Sequence, residues 1–317
     1  MHYRRLGRTE LQVSEVGFGA WAIGGNKHGH SYGPTDNTTS LRAIARALEL
    51  GCTFFDTADV YGHGLSEKLL GQALQTRRHD YVIATKVGND FSHGPFRQNF
   101  APDYIRLAVD KSLERLRTDY IDLYQLHNPP LMMLQRGEHY GILEELKQAG
   151  KIRYYGVSVH DAYEGIMAIH TGKPDVIQVV YNLLRSDTRE DLFELAQEQN
   201  IGLIVREPLA SGTLTGKYSA EATFPEGDIR ASWPQEYLAM QVQLAVKLHF
   251  LTSEGQRTLA QAALRFVLDE SAVSVVVPGI KTAAQAEENL LASELPPLTE
   301  ADHQAIHTVL EAMDDLL

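Results

Sequence analysis

Four side chains suited to acid–base chemistry stand near the ends of short apolar runs: Asp56, Tyr61, Lys86 and His127. An isolated tyrosine has a pKa of about 10 and donates a proton poorly at neutral pH, but an adjacent ammonium favours the phenolate and lowers that pKa. We expect Lys86 to act on Tyr61 in this way, and Asp56 to keep the lysine charged and oriented. His127, as a donor beside the phenol, would orient a carbonyl oxygen and share in proton transfer.

Together these residues would provide a proton donor for a carbonyl group that is receiving a hydride. They include no nucleophile–base pair of the kind that acyl transfer needs. Because side chains alone cannot deliver a hydride, this chemistry implies a nicotinamide cofactor.

Structural roles stay open for the same four residues. Asp56 and Lys86 could form a buried ion pair, Tyr61 could be a packed loop aromatic, and His127 could be a hydrogen-bonded polar residue.

The elements that must position these residues are eight short apolar runs with helical patterns between them. Several runs are hydrophobic without alternation, as buried parallel strands are. The pattern predicts the α/β class and a (β/α)8 TIM barrel, formed as a single domain over residues 1–317. Barrel enzymes carry catalytic residues at the carboxyl ends of the strands, so the four side chains should converge. The predicted strands are 16–18, 53–56, 81–85, 121–126, 152–157, 176–180, 202–205 and 273–277.

Apolar residues at helical spacing predict helices at 36–50, 66–74, 103–117, 141–148, 163–169, 190–199, 256–268 and 283–291. Two regions depart from the strand–helix alternation. Residues 4–6 and 11–13 predict a β-hairpin that caps the N-terminal face of the barrel. The stretch 211–254 predicts an extra helix and a loop near the active-site end, and residues 300–316 predict a C-terminal helix outside the barrel.

The charge balance argues against polyanionic partners. Lys and Arg number 29 against 41 Asp and Glu, a net charge of −12 that disfavours binding to nucleic acid or to an anionic membrane surface. The one cysteine, Cys52, cannot form an intramolecular disulfide or a thiolate metal cluster, which fits a reducing compartment. No apolar run has membrane-spanning length, and the first residues lack the apolar stretch of a signal peptide. We therefore expect a cytoplasmic protein of undetermined oligomeric state.

Several short motifs occur in a fixed order along the chain, and it is their combination that is specific. They are Tyr3-Arg4-Arg5-Leu6-Gly7-Arg8-Thr9, Phe55-Asp56-Thr57-Ala58-Asp59-Val60-Tyr61-Gly62 followed by Ser66-Glu67, Thr85-Lys86, Tyr124-Gln125-Leu126-His127, Gly156-Val157-Ser158, Gln178, Leu214-Thr215-Gly216-Lys217, and Pro278-Gly279 with Glu288-Asn289. In this combination the chain resembles the aldo-keto reductase family over nearly its whole length.

The resemblance implies a (β/α)8 barrel that reduces aldehydes or ketones with NADPH and without a metal. By position, Tyr61 would be the proton donor, tuned by Lys86 and Asp56, and His127 would orient the substrate. Cofactor contacts are implied as well. Ser158 and Gln178 would bind the nicotinamide carboxamide, Leu209, Ser211, Gly212, Leu214 and Lys217 would lie along the pyrophosphate, and Gln285 and Asn289 would lie near the adenine. For Ser158, Gln178 and Lys217, purely structural or solvated roles stay open.

Some positions depart from the family pattern. Where many relatives have Asn after the serine, this chain has Val159 and then His160, and where many place an aromatic against the nicotinamide, it has Arg206. A guanidinium can stack, but it adds positive charge beside a ring that becomes cationic on oxidation, which would favour the reduced cofactor. Gln285 stands where some relatives carry Arg against the 2′-phosphate, and Lys281 could serve instead. We expect NADP(H), with NAD(H) as the alternative.

Substrate choice in a barrel comes from its loops. Trp21 and Asn128 are our principal substrate-site candidates. Phe91, Phe96 and Trp233 could add apolar wall, and His93 and Arg97 could add polarity. Sugars, short aldehydes, quinones and dicarbonyls are all candidate substrates.

Two other function classes stay open. One is an NADPH-sensing regulatory subunit with slow turnover. The other is a metal-dependent hydrolase that would use His28 and His30 and be inhibited by a chelator.

Overall fold

The computed structural model describes residues 1–29, 31–91 and 97–314 of the chain. The strands are β1 (Tyr3–Arg5), β2 (Gln12–Ser14), β3 (Phe18–Gly19), β4 (Phe54–Asp56), β5 (Val82–Val87), β6 (Asn89–Asp90), β7 (Arg97–Gln98), β8 (Ile121–His127), β9 (Ile152–Ser158), β10 (Val176–Val180), β11 (Gly202–Arg206) and β12 (Val273–Val277). The eight strands predicted for the barrel are confirmed, with ends that differ by at most two residues.

Parallel pairing joins eight of the described strands in the order β12-β11-β10-β9-β8-β5-β4-β3. Parallel bridges between Val16 and Val276 and between Gly19 and Gly279 connect the two outer strands, so the sheet closes into a barrel. The register aligns the carboxyl ends: His127 of β8 stands beside Ser158 of β9. The predicted (β/α)8 barrel is confirmed, and its closure brings the functional side chains to one end.

The N-terminal hairpin closes the opposite end. Strands β1 and β2 pair antiparallel. Leu6, directly after β1, and Val13, within β2, are fully buried in the cluster that fills the barrel interior. Arg4 Nη2 donates to the carbonyl oxygen of Leu268 at 2.7 Å, just ahead of β12, and Arg8 Nε donates to Asp175 Oδ1 at 3.1 Å, just ahead of β10. These contacts confirm the predicted cap on the N-terminal face.

The helices cover the outside of the barrel. They are α1 (Asn37–Glu49), α2 (Leu65–Leu74), α3 (Pro102–Leu116), α4 (Leu131–Arg136), α5 (Tyr140–Gln148), α6 (Ala162–His170), α7 (Arg189–Glu198), α8 (Gln235–Lys247), α9 (Leu259–Leu268), α10 (Ala283–Leu291) and α11 (Glu300–Asp314). Asp36 caps α1, accepting from Thr39 N at 2.9 Å. Within the ranges described, no helix combines the length and apolar character needed to span a bilayer.

The structure corrects the prediction in a few places. Helix α9 begins at Leu259 rather than at residue 256, because Thr258 and Gln261 form a reciprocal capping box. The extra helix predicted within 211–254 is α8. Helix α4 and the β6–β7 hairpin were not predicted, since the helix has six residues and each strand two. The C-terminal helix is described to Asp314, and the predicted last residues 315 and 316 lie outside the described chain.

Candidate active site

A cavity of about 960 Å³ opens at the carboxyl end of the barrel, a volume suited to a cofactor-sized ligand. It collects fifteen of the predicted site residues, namely Trp21, Asp56, Tyr61, His127, Asn128, Ser158, Gln178, Arg206, Leu209, Ser211, Gly212, Lys217, Lys281, Gln285 and Asn289. Lys86 is buried beneath this surface. Leu214 does not line the cavity, because its side chain is fully buried in the hydrophobic core.

The residues proposed for proton transfer form one connected group. Lys86 Nζ donates to Asp56 Oδ2 at 2.6 Å and to the carbonyl oxygen of Thr57 at 2.8 Å, and it lies 3.4 Å from Tyr61 Oη. The His127 ring meets the Tyr61 ring edge-on, with centroids 5.9 Å apart. Asp56 and Lys86 are therefore a buried ion pair, and that pair also contacts the phenol, so the structural and functional interpretations coincide.

Burial changes the expected ionisation of Tyr61. Loss of solvent raises the pKa of the phenol, and the nearby Lys86 charge lowers it by less, so the net shift is upward. The expectation that Lys86 brings the Tyr61 pKa below its ordinary value is wrong in net direction. The pKa of Lys86 is also raised: burial would lower it, but the charges and hydrogen bonds of Asp56 and Tyr61 outweigh burial. The site holds a protonated phenol against a charged ammonium.

His127 is held as a neutral imidazole. Burial, reinforced by the positive charges of Lys86 and Arg206, puts its pKa well below the ordinary value. Its Nδ1 lies 3.2 Å from the amide nitrogen of Asn89. An amide nitrogen can only donate, so Nδ1 accepts and Nε2 carries the ring proton. His127 can thus donate a hydrogen bond without being charged.

Ser158 and Gln178 contact the acid–base group as well as the cavity. Gln178 Nε2 donates to Asp56 Oδ1 at 2.8 Å, and Ser158 Oγ lies 3.5 Å from Gln178 Oε1. Gln125, which sequence analysis did not single out as a site residue, donates weakly to the same Asp56 oxygen at 3.4 Å. The carboxylate of Asp56 is thereby satisfied on both oxygens, which fixes the position of Lys86.

Arg206 ends β11 at the position that departs from the family pattern. Its Nη1 pairs with Glu207, and its Nη2 donates to the carbonyl oxygen of Val159 at 3.0 Å. Within the described chain its buried Nε has no hydrogen-bond partner. The Glu207 carboxylate offsets the charge that Arg206 brings, so the effect of that charge on a neighbouring ring is smaller than the sequence alone suggests.

A cluster of cations occupies another part of the cavity wall. Lys217, Arg230 and Lys281 all line it, and the positive charges of the first two, after burial, lower the pKa of Lys281. Lys281 Nζ donates to the carbonyl oxygen of Tyr32 at 2.6 Å, and Tyr32 Oη donates to Ser211 Oγ at 3.0 Å. These contacts join the β3–α1 loop to the loops after β11 and β12. The grouped cations suit a dinucleotide phosphate.

The predicted substrate residues differ in outcome. Trp21 lines the cavity and stacks on Tyr61, with centroids 5.9 Å apart, and Asn128 lines it directly after β8. Phe91, Trp233 and Arg97 are not among the lining residues, although Phe91 stacks on His63, which is. His30, His93 and Phe96 lie outside the described residues.

Sequence reasoning missed several lining residues. Asn89, Arg185 and Arg230 contribute polar groups, and Tyr32 and His63 contribute rings. Asn89 lies three residues after Lys86 and Arg185 five after the end of β10, so position near a strand end could have indicated both. Arg230 gives no such signal. It reaches the cavity through an ion pair with Asp228 at 2.6 Å within the long segment that follows β11.

A second buried acidic group lies behind the site. Asp59 is 1% exposed, and within the described chain neither carboxylate oxygen has a hydrogen-bond partner. Glu67, close by, pairs with Arg115 at 2.5 Å and accepts from Thr85 at 2.7 Å. Burial, and next the charge of Glu67, raises the pKa of Asp59 well above its ordinary value. Both effects favour the neutral carboxyl of Asp59 over the charged carboxylate.

Comparison with known proteins agrees with this fold. The model of the Aldo/keto reductase family matches residues 15–311. The solved aldo-keto reductase AKR11C1 from Bacillus halodurans, in its holo form, has 34% identity and a TM-score of 0.79, covering 98% of this chain and 96% of that one. Aldo-keto reductase YhdN of Bacillus subtilis (strain 168) is 33% identical over 328 residues, covering 98% of this chain and 94% of that protein. The chain belongs to the aldo/keto reductase family.

The family assignment makes the chain an oxidoreductase of a class that uses nicotinamide cofactors on small carbonyl substrates. One relative, from Escherichia coli (strain K12), is named NADH-specific methylglyoxal reductase. It is 31% identical over 325 residues and covers 98% of each chain.

The residues that line the cavity fit a nicotinamide dinucleotide. The lining includes the cation cluster for phosphates, Gly212 without a side chain, and the unpartnered Nε of Arg206 among the described residues.

Proposed function

We propose that this protein reduces an aldehyde or ketone to an alcohol, with NADPH as the hydride source and Tyr61 as the proton donor. The observation that carries the proposal is the Asp56–Lys86–Tyr61 chain, in which a fully buried ammonium lies 2.6 Å from the carboxylate and 3.4 Å from the phenol oxygen. A protonated phenol with a fixed cation behind it is suited to giving a proton to an oxygen that gains negative charge.

The bound dinucleotide supplies the hydride to the substrate carbonyl carbon. The protein's residues manage the oxygen. His127 donates from Nε2 to the carbonyl oxygen and orients it, since Asn89 holds Nδ1 as an acceptor. Tyr61 gives its phenol proton to that oxygen, and Lys86 stabilises the phenolate that results. Asp56 keeps Lys86 charged and in place against the penalty of burial.

We assign NADPH rather than NADH as the preferred cofactor because of the cation cluster. The 2′-phosphate of NADPH adds negative charge, which Lys217, Arg230 and Lys281 attract. Glu288 also lines the cavity near Gln285 and opposes that attraction, as an acid beside a ribose favours NADH. Arg230 is paired with Asp228, so Lys217 and Lys281 against the one carboxylate of Glu288 give the balance to NADPH.

Two titrations and an assay test the proposal. Purified protein is titrated with NADPH and with NADH while Trp fluorescence is followed, since Trp21 lines the cavity. Oxidation of NADPH is then followed with 4-nitrobenzaldehyde and a panel of short aldehydes and sugars. We expect tighter binding of NADPH and carbonyl-dependent oxidation. Binding without carbonyl-dependent oxidation would instead support a sensing role, and absence of dinucleotide binding would contradict the proposal entirely.

A further inference from the structure

The β10–α7 loop carries a guanidinium, that of Arg185, into the wall of the cavity. The backbone groups of Asn182 and Arg185 pair in both directions, at 3.1 and 3.0 Å, which closes a tight turn. The Asn182 side chain donates to the carbonyl oxygen of Glu207 at 2.9 Å, fixing this turn to the loop after β11. Arg185 Nη2 donates to the carbonyl oxygen of His160 at 3.1 Å. The guanidinium is thus positioned by three loops of the barrel end.

Arg185 lies on the side of the cavity that holds Tyr61 and His127. Arg206 Nη2 binds the carbonyl oxygen of Val159, and Arg185 Nη2 binds that of the next residue, His160. The two guanidinium groups are therefore anchored on consecutive carbonyl groups directly after β9. The charge of Arg206 acts on both Tyr61 and His127. Arg185 comes from the β10–α7 loop and is anchored one carbonyl farther along the loop after β9, on His160, and both Arg185 and Tyr61 line the cavity.

Arg185 differs from Lys86, Arg206 and Arg230 in having no carboxylate partner in the described part of the chain. Lys86 is paired with Asp56, Arg206 with Glu207 and Arg230 with Asp228. Arg185 has no carboxylate partner within the ranges that the structure describes, and its side chain is exposed. Lys217 and Lys281 belong to the cluster assigned to the cofactor phosphates. This leaves Arg185 as the available cation on the substrate side.

We propose that Arg185 binds a carboxylate on the substrate, so that the preferred substrates are aldehydes or ketones that also carry a carboxylate. The proposal rests on the proposed reductase function and specifies its substrate class. A guanidinium offers two parallel N–H donors to a carboxylate, which fixes the orientation as well as the position of the ligand. Because the Arg185 guanidinium is exposed, its contribution to the binding free energy of a carboxylate is modest and weakens as the salt concentration rises.

The test compares two aldehydes that differ in charge, 4-carboxybenzaldehyde and methyl 4-formylbenzoate. We expect the wild-type protein to prefer the carboxylate in kcat/KM. Arg185→Gln should reduce that preference by about two- to fivefold, mainly through KM, and leave kcat/KM for the ester unchanged. Arg185→Lys should retain part of it. Arg189→Gln is the matched control, because Arg189 pairs with Glu270 and does not line the cavity. Raising the salt concentration should weaken the wild-type preference.

A binding measurement separates failure of the inference from failure of the proposed function. With NADP+ present, Trp fluorescence follows binding of 4-(hydroxymethyl)benzoate and of its methyl ester to wild type and Arg185→Gln. If Arg185→Gln weakens binding of the acid but not of the ester, the result supports the inference even when neither aldehyde is reduced. If the wild type reduces neither aldehyde, the result contradicts the proposed reductase function. An acid-to-ester ratio that is the same in Arg185→Gln and wild type, in rate or in binding, overturns the inference.

Discussion

At the scale of single residues, the ionisation of the site follows from burial as much as from charge. Lys86 lies against Tyr61 and yet the pKa of the phenol is raised, because loss of solvent outweighs the nearby ammonium. The sequence predicted which residues meet, since each stands at or just after a strand end. It did not predict the net shift, because desolvation depends on how loops from distant parts of the chain cover the phenol.

These shifts predict the pH dependence of reduction. The pKa of His127 lies well below 6.5, so the imidazole stays neutral above that, and the pKa of Tyr61 lies above 10, so the phenol stays protonated. We expect kcat for reduction to be flat over about pH 6.5–9.5 and to fall only at higher pH as the phenol loses its proton. A pH profile of kcat at saturating NADPH checks this, and a break near neutrality in that profile would contradict the assignment.

Asn89 should matter through His127. In Asn89→Asp the carboxylate would accept a hydrogen bond from Nδ1–H, so the neutral ring would carry its proton on Nδ1 and leave Nε2 as an acceptor, and the carboxylate charge would raise the pKa of His127. We expect kcat to fall about 10- to 100-fold and a new ionisation to enter the pH profile. Asn99→Asp serves as the control, since Asn99 lies in the same loop region outside the cavity. Equal kcat values and equal pH profiles for Asn89→Asp and wild type would rule out the tautomer assignment.

Asp59 predicts an effect on stability with a defined sign. Its folded pKa is raised, so as pH rises above about 4 the unfolded chain loses this proton and the folded chain keeps it, which destabilises the fold progressively. Asp59→Asn removes that penalty. We expect its Tm at pH 7 to exceed the wild-type Tm by about 2–4 °C, the shift that roughly 1 kcal/mol gives in a larger domain. Thermal melts across pH check this. The difference should shrink towards pH 4, and a lower Tm for the variant at pH 7 would contradict it.

At the scale of elements, the loops of the active site depend on close backbone contacts. Gly62 follows Tyr61 at φ +59°, and a Cβ there would lie 2.1 Å from the carbonyl oxygen of Gly24 in the β3–α1 loop. Gly62→Ala must separate the two loops and displace Tyr61. We expect a loss of about 2–4 kcal/mol in stability and a lower kcat, measured by denaturant unfolding and by steady-state kinetics.

The matched control for this variant is Gly150→Ala. Gly150 also has a left-handed φ, +73°, but no atom lies within 4 Å of the position its Cβ would take. It should therefore show only the conformational cost, about 1 kcal/mol, with kcat unchanged. Equal effects of the two substitutions would mean that the close approach of the loops is unimportant.

Strands and long helices were predictable because their periodicity is local. The eight barrel strands and the hairpin cap are confirmed, and so is the extra helix α8. The start of α9 was missed because the Thr258–Gln261 capping box competes with apolar spacing, and α4 was missed because six residues give too little pattern. Arg230 was missed because only the folded loop brings it to the cavity.

At the scale of the whole molecule, a net charge of −12 surrounds a cavity that carries grouped cations. That arrangement predicts that the anionic cofactor stabilises the fold, by about 2.7 kcal/mol at 100 times its Kd. We expect a thermal-shift assay to show a larger rise in Tm with NADPH than with NADH at equal concentration. An equal or larger rise in Tm with NADH would contradict the cofactor preference. The same melts check the single-domain prediction for residues 1–317, which expects one cooperative transition.

The central claim is that Tyr61 donates the proton. The most direct measurement is single-turnover oxidation of NADPH, in which the preformed NADPH complex is mixed with 4-nitrobenzaldehyde, for wild type, Tyr61→Phe and Tyr32→Phe. Tyr32 lines the same cavity, hydrogen-bonded to Ser211, and controls for loss of a hydroxyl there. We predict a rate lower by about 10²–10⁴ for Tyr61→Phe with NADPH affinity unchanged, and a rate near wild type for Tyr32→Phe. A wild-type rate in Tyr61→Phe would contradict the account.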